Sequence, residues 1–316
     1  MKNVKTNKVV TVTLNPALDL TGHMDLLRAG HVNLVEKGSL HAAGKGVNVA
    51  KVLTELGAQV TVTGFLGADN PELFHQLFSD LNVDDQFITV AGATRINVKL
   101  VENDGQVTDI NFPGVQVSAE DIHRFESQLF ELAQSHDFFV IAGSLPQGVT
   151  PEQCAKWIAD LQAKGKKVFF DSSKAALQQG INATPWLIKP NDEELADLIG
   201  EQLQTSEQLM SVGRELANKG IANVVISRGA DGVLWLRDGH WIQATPPKME
   251  LVSTVGAGDT LVAGLCWGEM QQMPAEQHLR FATALSALAV SQVGVGVPEQ
   301  SMIDAASRQV ILTRFR

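Results

Sequence analysis

Ser253-Thr254-Val255-Gly256-Ala257-Gly258-Asp259-Thr260 is a glycine-rich turn that runs straight into a helical pattern, with one carboxylate at the helix start. Backbone N–H groups at a helix N-terminus lack intrahelical partners and carry partial positive charge, so they attract phosphate. Glycine lets the backbone approach an anion without a Cβ in the way. Asp259 would repel that phosphate, so its presence needs a reason. Helix capping is one, because Asp is favoured there; catalysis is the other. The turn alone does not separate them. The rest of the chain shifts the balance toward catalysis.

Outward from the turn, strand and helix patterns alternate almost throughout. Val9 to Leu14 reads as a strand, Val47 to Leu56 as a helix ending at Gly57, and Gln59 to Phe65 as a strand. Phe138 to Ala142 is a continuous apolar run, as in a strand buried on both faces. Pro151 to Ala163 is helical, and Lys167 to Phe170 is a strand ending at Asp171. Trp186 to Ile188 reads as a short strand before a helix from about Asp192, and Asn223 to Ser227 as another strand. Helical patterns cover about 259–270 and 275–292. This alternation predicts an α/β fold with a mostly parallel sheet covered on both faces.

Two segments break the rhythm. Gly22 to Leu40 is polar and irregular, with a strand expected near Val32 to Val35. Thr94 to Phe112 reads as a hairpin around Asn103-Asp104-Gly105. They predict a small antiparallel β-lid made from insertions at about 17–42 and 93–115, on one domain spanning 1–316.

The 316 residues allow two average domains or one large α/β domain. Hydrophobic content is 44%, as in an ordinary soluble protein. No apolar run reaches the ~20 residues that span a bilayer, so no membrane association is expected. The N-terminus, Met1 to Lys8, is basic but enters an alternating strand rather than a signal-peptide core. The net charge of −10, from 25 basic and 35 acidic residues, argues against a nucleic-acid surface. It leaves room for small anions held by a few focused cations. Cys154 and Cys266 lie far apart, as in a reduced cytoplasmic protein.

There is no G-x-x-x-x-G-K-[ST] loop, and no G-x-G-x-x-G follows the first strand. Other candidates lie after strands, where α/β sheets bind ligands. Asp19, in Asn15-Pro16-Ala17-Leu18-Asp19, is placed to accept sugar hydroxyls or to satisfy a turn. Gly44-Lys45-Gly46-Val47-Asn48 permits close backbone approach, with Lys45 meeting a phosphate, or is a plain loop with a solvated lysine. Arg95, Asn97 and Lys99 share one face of the hairpin, either an ordinary solvated strand face, the reading favoured if the row is taken alone, or one that suits a sugar phosphate. Gly143-Ser144-Leu145-Pro146 is a crevice-edge turn. Lys189 could neutralise nucleotide phosphates. Asn191 and Glu194, one helical turn apart, suit either Mg²⁺ waters or a helix start. Ser227-Arg228-Gly229-Ala230-Asp231-Gly232 reads as a nucleotide-lining turn or a hairpin turn.

Together these segments resemble the PfkB (ribokinase-like) sugar kinase family. The resemblance rests on Asp171 and Ser253 to Thr260, on Gly44 to Asn48, and on Thr13 to Asp19, Thr94 to Leu100, Gly143 to Pro146 and Lys189 to Asn191. It covers about Val9 to Gly296, with the motifs in family order, and points to the phosphosugar branch. It implies a ribokinase-like three-layer α/β/α core. It also implies ATP-dependent phosphorylation of fructose 1-phosphate on its 6-hydroxyl with Mg²⁺, a monovalent cation as a further option, and a homodimer through the β-lid. In that scheme Asp259 is the base, and the amides of Gly256, Ala257 and Gly258 form the anion hole. Asp19, Gly44, Lys45, Asn48, Arg95, Asn97, Lys99 and Ser144 hold the sugar phosphate. Lys189, Asn191, Ser227, Gly229, Gly232 and Gly258 line the nucleotide, with Glu194 reaching the metal through water. Arg228 departs from the small or aliphatic residue expected between serine and glycine. A kinase for tagatose 6-phosphate or fructose 6-phosphate stays open, as does a non-catalytic sugar-phosphate sensor.

Overall fold

The computed structural model describes residues 7–292 and 294–315. Of the basic N-terminus read above, residues 1–6 lie outside the described residues. The first elements are β1 (Lys8–Thr13), β2 (Ala17–Met24), β3 (Lys37–Ala43), α1 (Lys45–Glu55), β4 (Gln59–Gly67), α2 (Glu72–Asp80), β5 (Asp84–Asp85) and β6 (Ile88–Val90). Next come β7 (Ile96–Glu102), β8 (Val107–Ile110), α3 (Ala119–Leu132), β9 (Phe138–Ala142), α4 (Pro151–Ala163) and β10 (Lys167–Asp171). They are followed by α5 (Lys174–Asn182), β11 (Leu187–Ile188), α6 (Asp192–Ile199), α7 (Ser206–Asn218), β12 (Asn223–Ser227), β13 (Val233–Arg237) and β14 (His240–Thr245). The last are α8 (Ala257–Met270), α9 (Ala275–Ala289), α10 (Gln300–Gln309) and β15 (Ile311–Phe315).

Eleven strands form one sheet in the order β15-β14-β13-β12-β11-β10-β9-β1-β4-β5, with β6 also on β4. From β12 through β4 and its two short partners, every pairing is parallel. From β12 through β13 and β14 to β15 the pairings are antiparallel. That edge was not anticipated: β12, β13 and β14 follow one another through tight turns, and β15 returns to β14 only after the three helices α8, α9 and α10.

Alternation along the strands divides the core into two layers. Val9 and Val140 face one side, against α1, α8 and α9. Val10, Val12 and Phe139 face the other, against α3, α4 and α7. Each such residue loses nearly all its exposure, a contribution of roughly 1.5–3 kcal/mol apiece. Both faces are therefore apolar, which explains the unbroken hydrophobic run at Phe138–Ala142.

A second, four-stranded sheet has the order β3-β2-β7-β8. The expected hairpin is present as β7 and β8, and β2 with β3 makes a second antiparallel pair. The seam between the two, β2 on β7, is parallel. The strand expected at Val32 to Val35 is not there: Val32 is 92% and Leu34 83% exposed. Pairing begins later, after the Glu36 amide donates to the His23 carbonyl. Apolar alternation without a facing strand does not make a strand. Likewise α9 stops at Ala289, short of the periodic pattern to 292.

The parallel strands β1, β9, β10, β11 and β12 all point their carboxyl ends to one rim. Asp171 is registered with Ala142 across that rim, and the Gly143 amide donates to the Asp171 carbonyl at 2.9 Å. The rim faces the α8 N-terminus on one side and the smaller sheet on the other.

Candidate active site at the carboxyl rim

Helix α8 is apolar around most of its circumference and lies inside the protein, so a carboxylate in its first turn stands out. Its N-cap, Gly256, sits in the left-handed region at φ 80°. A Cβ there would lie 2.3 Å from Val295 Cγ2, so glycine is required twice over. The Ala257 amide donates to Thr254 O through a long 3.3 Å turn bond. Among the described residues the Gly258 and Asp259 amides have no backbone partner, leaving two helix-start donors for an anion.

Asp259 is 7% exposed, and Asn48 Nδ2 donates to its Oδ2 at 2.7 Å. Burial, and then the negative charge of Asp171, push its carboxyl up to about 6; Asn48, Lys45 and Lys189 act in the opposite direction. Asp259 is therefore poised near neutrality rather than locked as a carboxylate.

Asp171 is the hub of the charges. It is 1% exposed and lies 3.4 Å from both Lys45 Nζ and Lys189 Nζ. Its Oδ1 accepts no hydrogen bond, although Lys189 is that close. Burial pulls Lys45 down, but the charges of Asp171, Asp259 and Glu194 together hold it above its ordinary value. Lys189 also reaches the turn, with Nζ 3.7 Å from where a Gly258 Cβ would be. Lys45, Asn48, Asp171, Lys189 and Asp259 thus form one constellation drawn from α1, the ends of β10 and β11, and α8.

The opposite wall is looser. Gly44, at φ 137°, has Thr13 Cγ2 2.8 Å from its would-be Cβ, so the backbone presses close under β1. Asn15 Nδ2 donates to Ser144 Oγ at 3.0 Å. Arg95 donates to the carbonyls of Pro16 at 3.3 Å, Phe112 at 3.2 Å and Asn15 at 3.0 Å, and approaches Ser144 Oγ at 3.5 Å. Burial lowers its pKa, against the pull of Asp19. Arg95 ties three loops together at the foot of the smaller sheet. Asn97 Nδ2 donates to Asp19 Oδ1 at 3.3 Å, and Lys99 Nζ lies 3.6 Å from Asp19 and 3.1 Å from Asp109. Of the expected row Arg95, Asn97 and Lys99, the last two meet Asp19, whereas Arg95 is spent on loop carbonyls.

On the remaining side, Asn191 and Glu194 form a capping box for α6. Glu194 N donates to Asn191 Oδ1 at 2.6 Å, and Asn191 N to Glu194 Oε2 at 3.0 Å. Ser227 N donates to Pro190 O at 3.1 Å, joining that start to the β12 end. The 227–232 segment is a hairpin turn holding a short 3₁₀ helix, Gly229–Asp231. Gly229 faces open space, whereas a Gly232 Cβ would strike Ala244 O at 2.0 Å. Arg228 turns to Ser206 Oγ at 3.0 Å and to Asp231 at 3.6 Å. No cluster of three His, Cys, Asp or Glu suited to a metal occurs among the described residues.

Sequence reading placed Asp171 at a strand end but did not single it out as a site residue. The usable signal was a carboxylate directly after a continuous apolar strand. Asn15 was passed over too; its reach to Ser144 depends on two loops 129 residues apart.

A buried carboxylate at an anion-binding helix start, with cations converging from neighbouring strand ends, defines a phosphotransferase-type site on an α/β sheet. The model for the pfkB family carbohydrate kinases matches residues 9–302, and the chain belongs to that family. It is 64% identical over 305 residues to the 1-phosphofructokinase of Vibrio cholerae serotype O1, covering 96% of each chain. It is 47% identical over 309 residues to the 1-phosphofructokinase of Escherichia coli strain K12, covering 98% of this chain and 99% of that one. Among solved structures it is similar to Escherichia coli phosphofructokinase-2 in complex with potassium, with a TM-score of 0.89, 27% identity, and 96% and 98% of the two chains covered. The ribokinase-like expectation holds. Among the described residues no helix is long and apolar enough to cross a membrane.

Proposed function

We propose that this chain transfers the γ-phosphoryl group of ATP to the 6-hydroxyl of fructose 1-phosphate, giving fructose 1,6-bisphosphate and ADP. The observation that carries the chemistry is the buried Asp259, held by Asn48 beside the unpaired amides of α8. The similarity to the two curated 1-phosphofructokinases supports the choice of sugar.

Asp259 takes the proton from the 6-hydroxyl as that oxygen bonds to the γ-phosphorus and the bond from phosphorus to the bridging oxygen of ADP breaks. Phosphoryl transfer has a loose transition state, so positioning and charge stabilisation matter more than base strength. The Gly258 and Asp259 amides, with Lys189, meet the equatorial oxygens; Gly256 shapes the turn, and Ala257 can join if its long bond opens. Lys45 neutralises phosphate charge. Asp19, Asn97, Lys99, Arg95 and Ser144 receive the sugar phosphate. Ser227, Gly229, Gly232 and Asn191 flank the nucleotide. Asp171, with its buried oxygen lacking a hydrogen-bond donor, and Glu194 are hard oxygen donors that suit Mg²⁺. Bound there, Mg²⁺ would neutralise charge on the nucleotide phosphates.

The chain acts as one kinase domain, with the four-stranded sheet as its lid. The lid face away from Asp19 exposes Leu20, Leu40, Ile96 and Ile110, which supports a homodimer formed through it. Both cysteines are free and buried, which suits the reducing cytoplasm.

The test is ADP release with MgATP against fructose 1-phosphate, fructose 6-phosphate, tagatose 6-phosphate and fructose. We expect kcat/KM for fructose 1-phosphate to exceed the others by at least about tenfold, a 1.4 kcal/mol discrimination. Preference for a 6-phosphate would overturn the substrate. Binding without turnover on all four would make the protein a sensor.

A further inference from the structure

Glu55 is the last residue of α1, where a negative charge opposes the helix dipole. Asp259, in the first turn of α8, has the helix dipole in its favour; Glu55 has the dipole against it. Its partner is distant in sequence: the Val297 amide donates to Glu55 Oε2 at 2.5 Å. The same segment is fastened a second time, since Gln292 Nε2 donates to the Gly296 carbonyl at 2.9 Å. One residue before Gly296 is Val295, whose Cγ2 fills the space that a Gly256 Cβ would need. Just before the turn, the Val252 and Ser253 amides both donate to the Val290 carbonyl, at 2.8 and 3.0 Å. The glycine turn therefore rests on the segment after α9, and Glu55 holds that segment.

Helix α1 touches the site at both ends. Its first turn carries Asn48, bonded to Asp259. Its last residue supports, through Val297 and Val295, the floor beneath Gly256. A rigid helix thus sets the base and the anion-binding turn relative to each other.

We propose that Glu55 is a positioning residue for phosphoryl transfer, acting on the Gly256 turn through Val297 and Val295. It does not touch substrate. Its carboxylate keeps the 295–297 segment pressed under the turn, so that the Gly258 and Asp259 amides stay aimed at one point. A small displacement of preorganised donors weakens the transition state more than the bound ground state. This rests on the kinase reading for its kinetic arm and on geometry alone for its second arm.

The test uses the full chain with Glu55→Ala, Glu55→Gln and Val295→Ala. In Glu55→Ala we expect kcat to fall about tenfold, with KM for the sugar phosphate within about twofold and Tm within about 2 °C. Glu55→Gln keeps an acceptor for the Val297 amide and should restore most of kcat. Val295→Ala should lower kcat similarly, and combining it with Glu55→Ala should add little, because both act through one support. Independently of any substrate, amide hydrogen exchange in the 256–260 turn should speed up in Glu55→Ala while core strands are unchanged. Unchanged exchange in the turn overturns the proposal whatever the substrate. Loss of kcat in step with Tm, or no rescue by Gln, reduces Glu55 to an ordinary structural contact. A wild-type enzyme inert on every sugar phosphate sinks the kinase reading and leaves the exchange result to decide this one.

Discussion

The two walls of the rim are built differently. On the α8 wall, Asp171 and Lys189 are 1% and 5% exposed, and Asp259 and Asn48 join elements of the main sheet's helix layer and rim. On the small-sheet wall, Asp19 and Lys99 keep about a fifth of their exposure and Asp109 nearly half. The groups proposed to act on the transferring phosphoryl are fixed mainly by burial, and burial pushes the Asp259 carboxyl up to about 6. Of the groups proposed to meet the sugar phosphate, Asp19 and Lys99 pair with each other, and Lys99 with Asp109, near the surface, where such pairs are worth little and exchange readily. In the proposed reading, chemistry is preorganised by the core, and recognition would be presented on a separate sheet whose ion pairs a ligand can displace.

The comparison breaks most sharply at Asp259. Asp259→Asn should lower kcat by about 10³-fold, within the range for loss of a general base, with little change in ATP affinity. Near-normal turnover would remove it from the chemistry. Its folded-state value is raised from 3.8 to about 6, so ionising it inside the fold is unfavourable. Stability should therefore decline as pH rises from about 4 to about 6 and stay lower above that. The neutral Asn should stabilise the protein by about 1–3 kcal/mol at pH 7, read as a higher Tm. In the wild type, kcat/KM should fall as pH drops below about 6, where the base becomes protonated.

A second break is Asp171→Ala. It strips the buried Lys189 of its partner and removes one from Lys45, so we expect a loss of about 3 kcal/mol in denaturant melts as well as loss of activity. An unchanged midpoint would mean that the cations re-pair with Asp259 and Glu194, and that the wall is less rigid than its burial implies.

The smallest effect belongs to the other wall. Lys99→Met should raise KM for the sugar phosphate about tenfold, leave kcat within about twofold, and move Tm by less than about 1 °C. A kcat loss equal to that of Asp259→Asn would erase the distinction between the walls.

Much of this was legible from residues alone. The strands Phe138–Ala142 and Asn223–Ser227 and the helix Pro151–Ala163 have the bounds that their patterns predict, because apolar periodicity and flanking turns agree there. The antiparallel edge β13–β15 was not legible, since β13 and β14 are short strands joined by a tight turn and β15 pairs with β14 across three intervening helices. Val32 to Val35 misled because alternation reports a pattern, while a strand needs a neighbour. At the site, Asp259, Asp19, the Ser227–Gly232 turn and the Asn191–Glu194 pair could be read only as a choice between a local role and a ligand. Nothing local distinguishes a carboxylate that caps from one that is buried beside Asn48.

The sequence by itself determined the alternation of strands and helices through the parallel part of the sheet, the glycine-rich turn before α8, and the carboxylate at the start of that helix. These are properties of near neighbours along the chain: periodicity, steric freedom and helix-end polarity. Only the tertiary structure decided that Asp171 stands between Lys45 and Lys189, that Asn48 reaches Asp259 across 211 residues, and that Glu55 supports the turn through Val295. Those relations depend on which strands lie side by side and on what burial does to charge, and neither is written in any single segment.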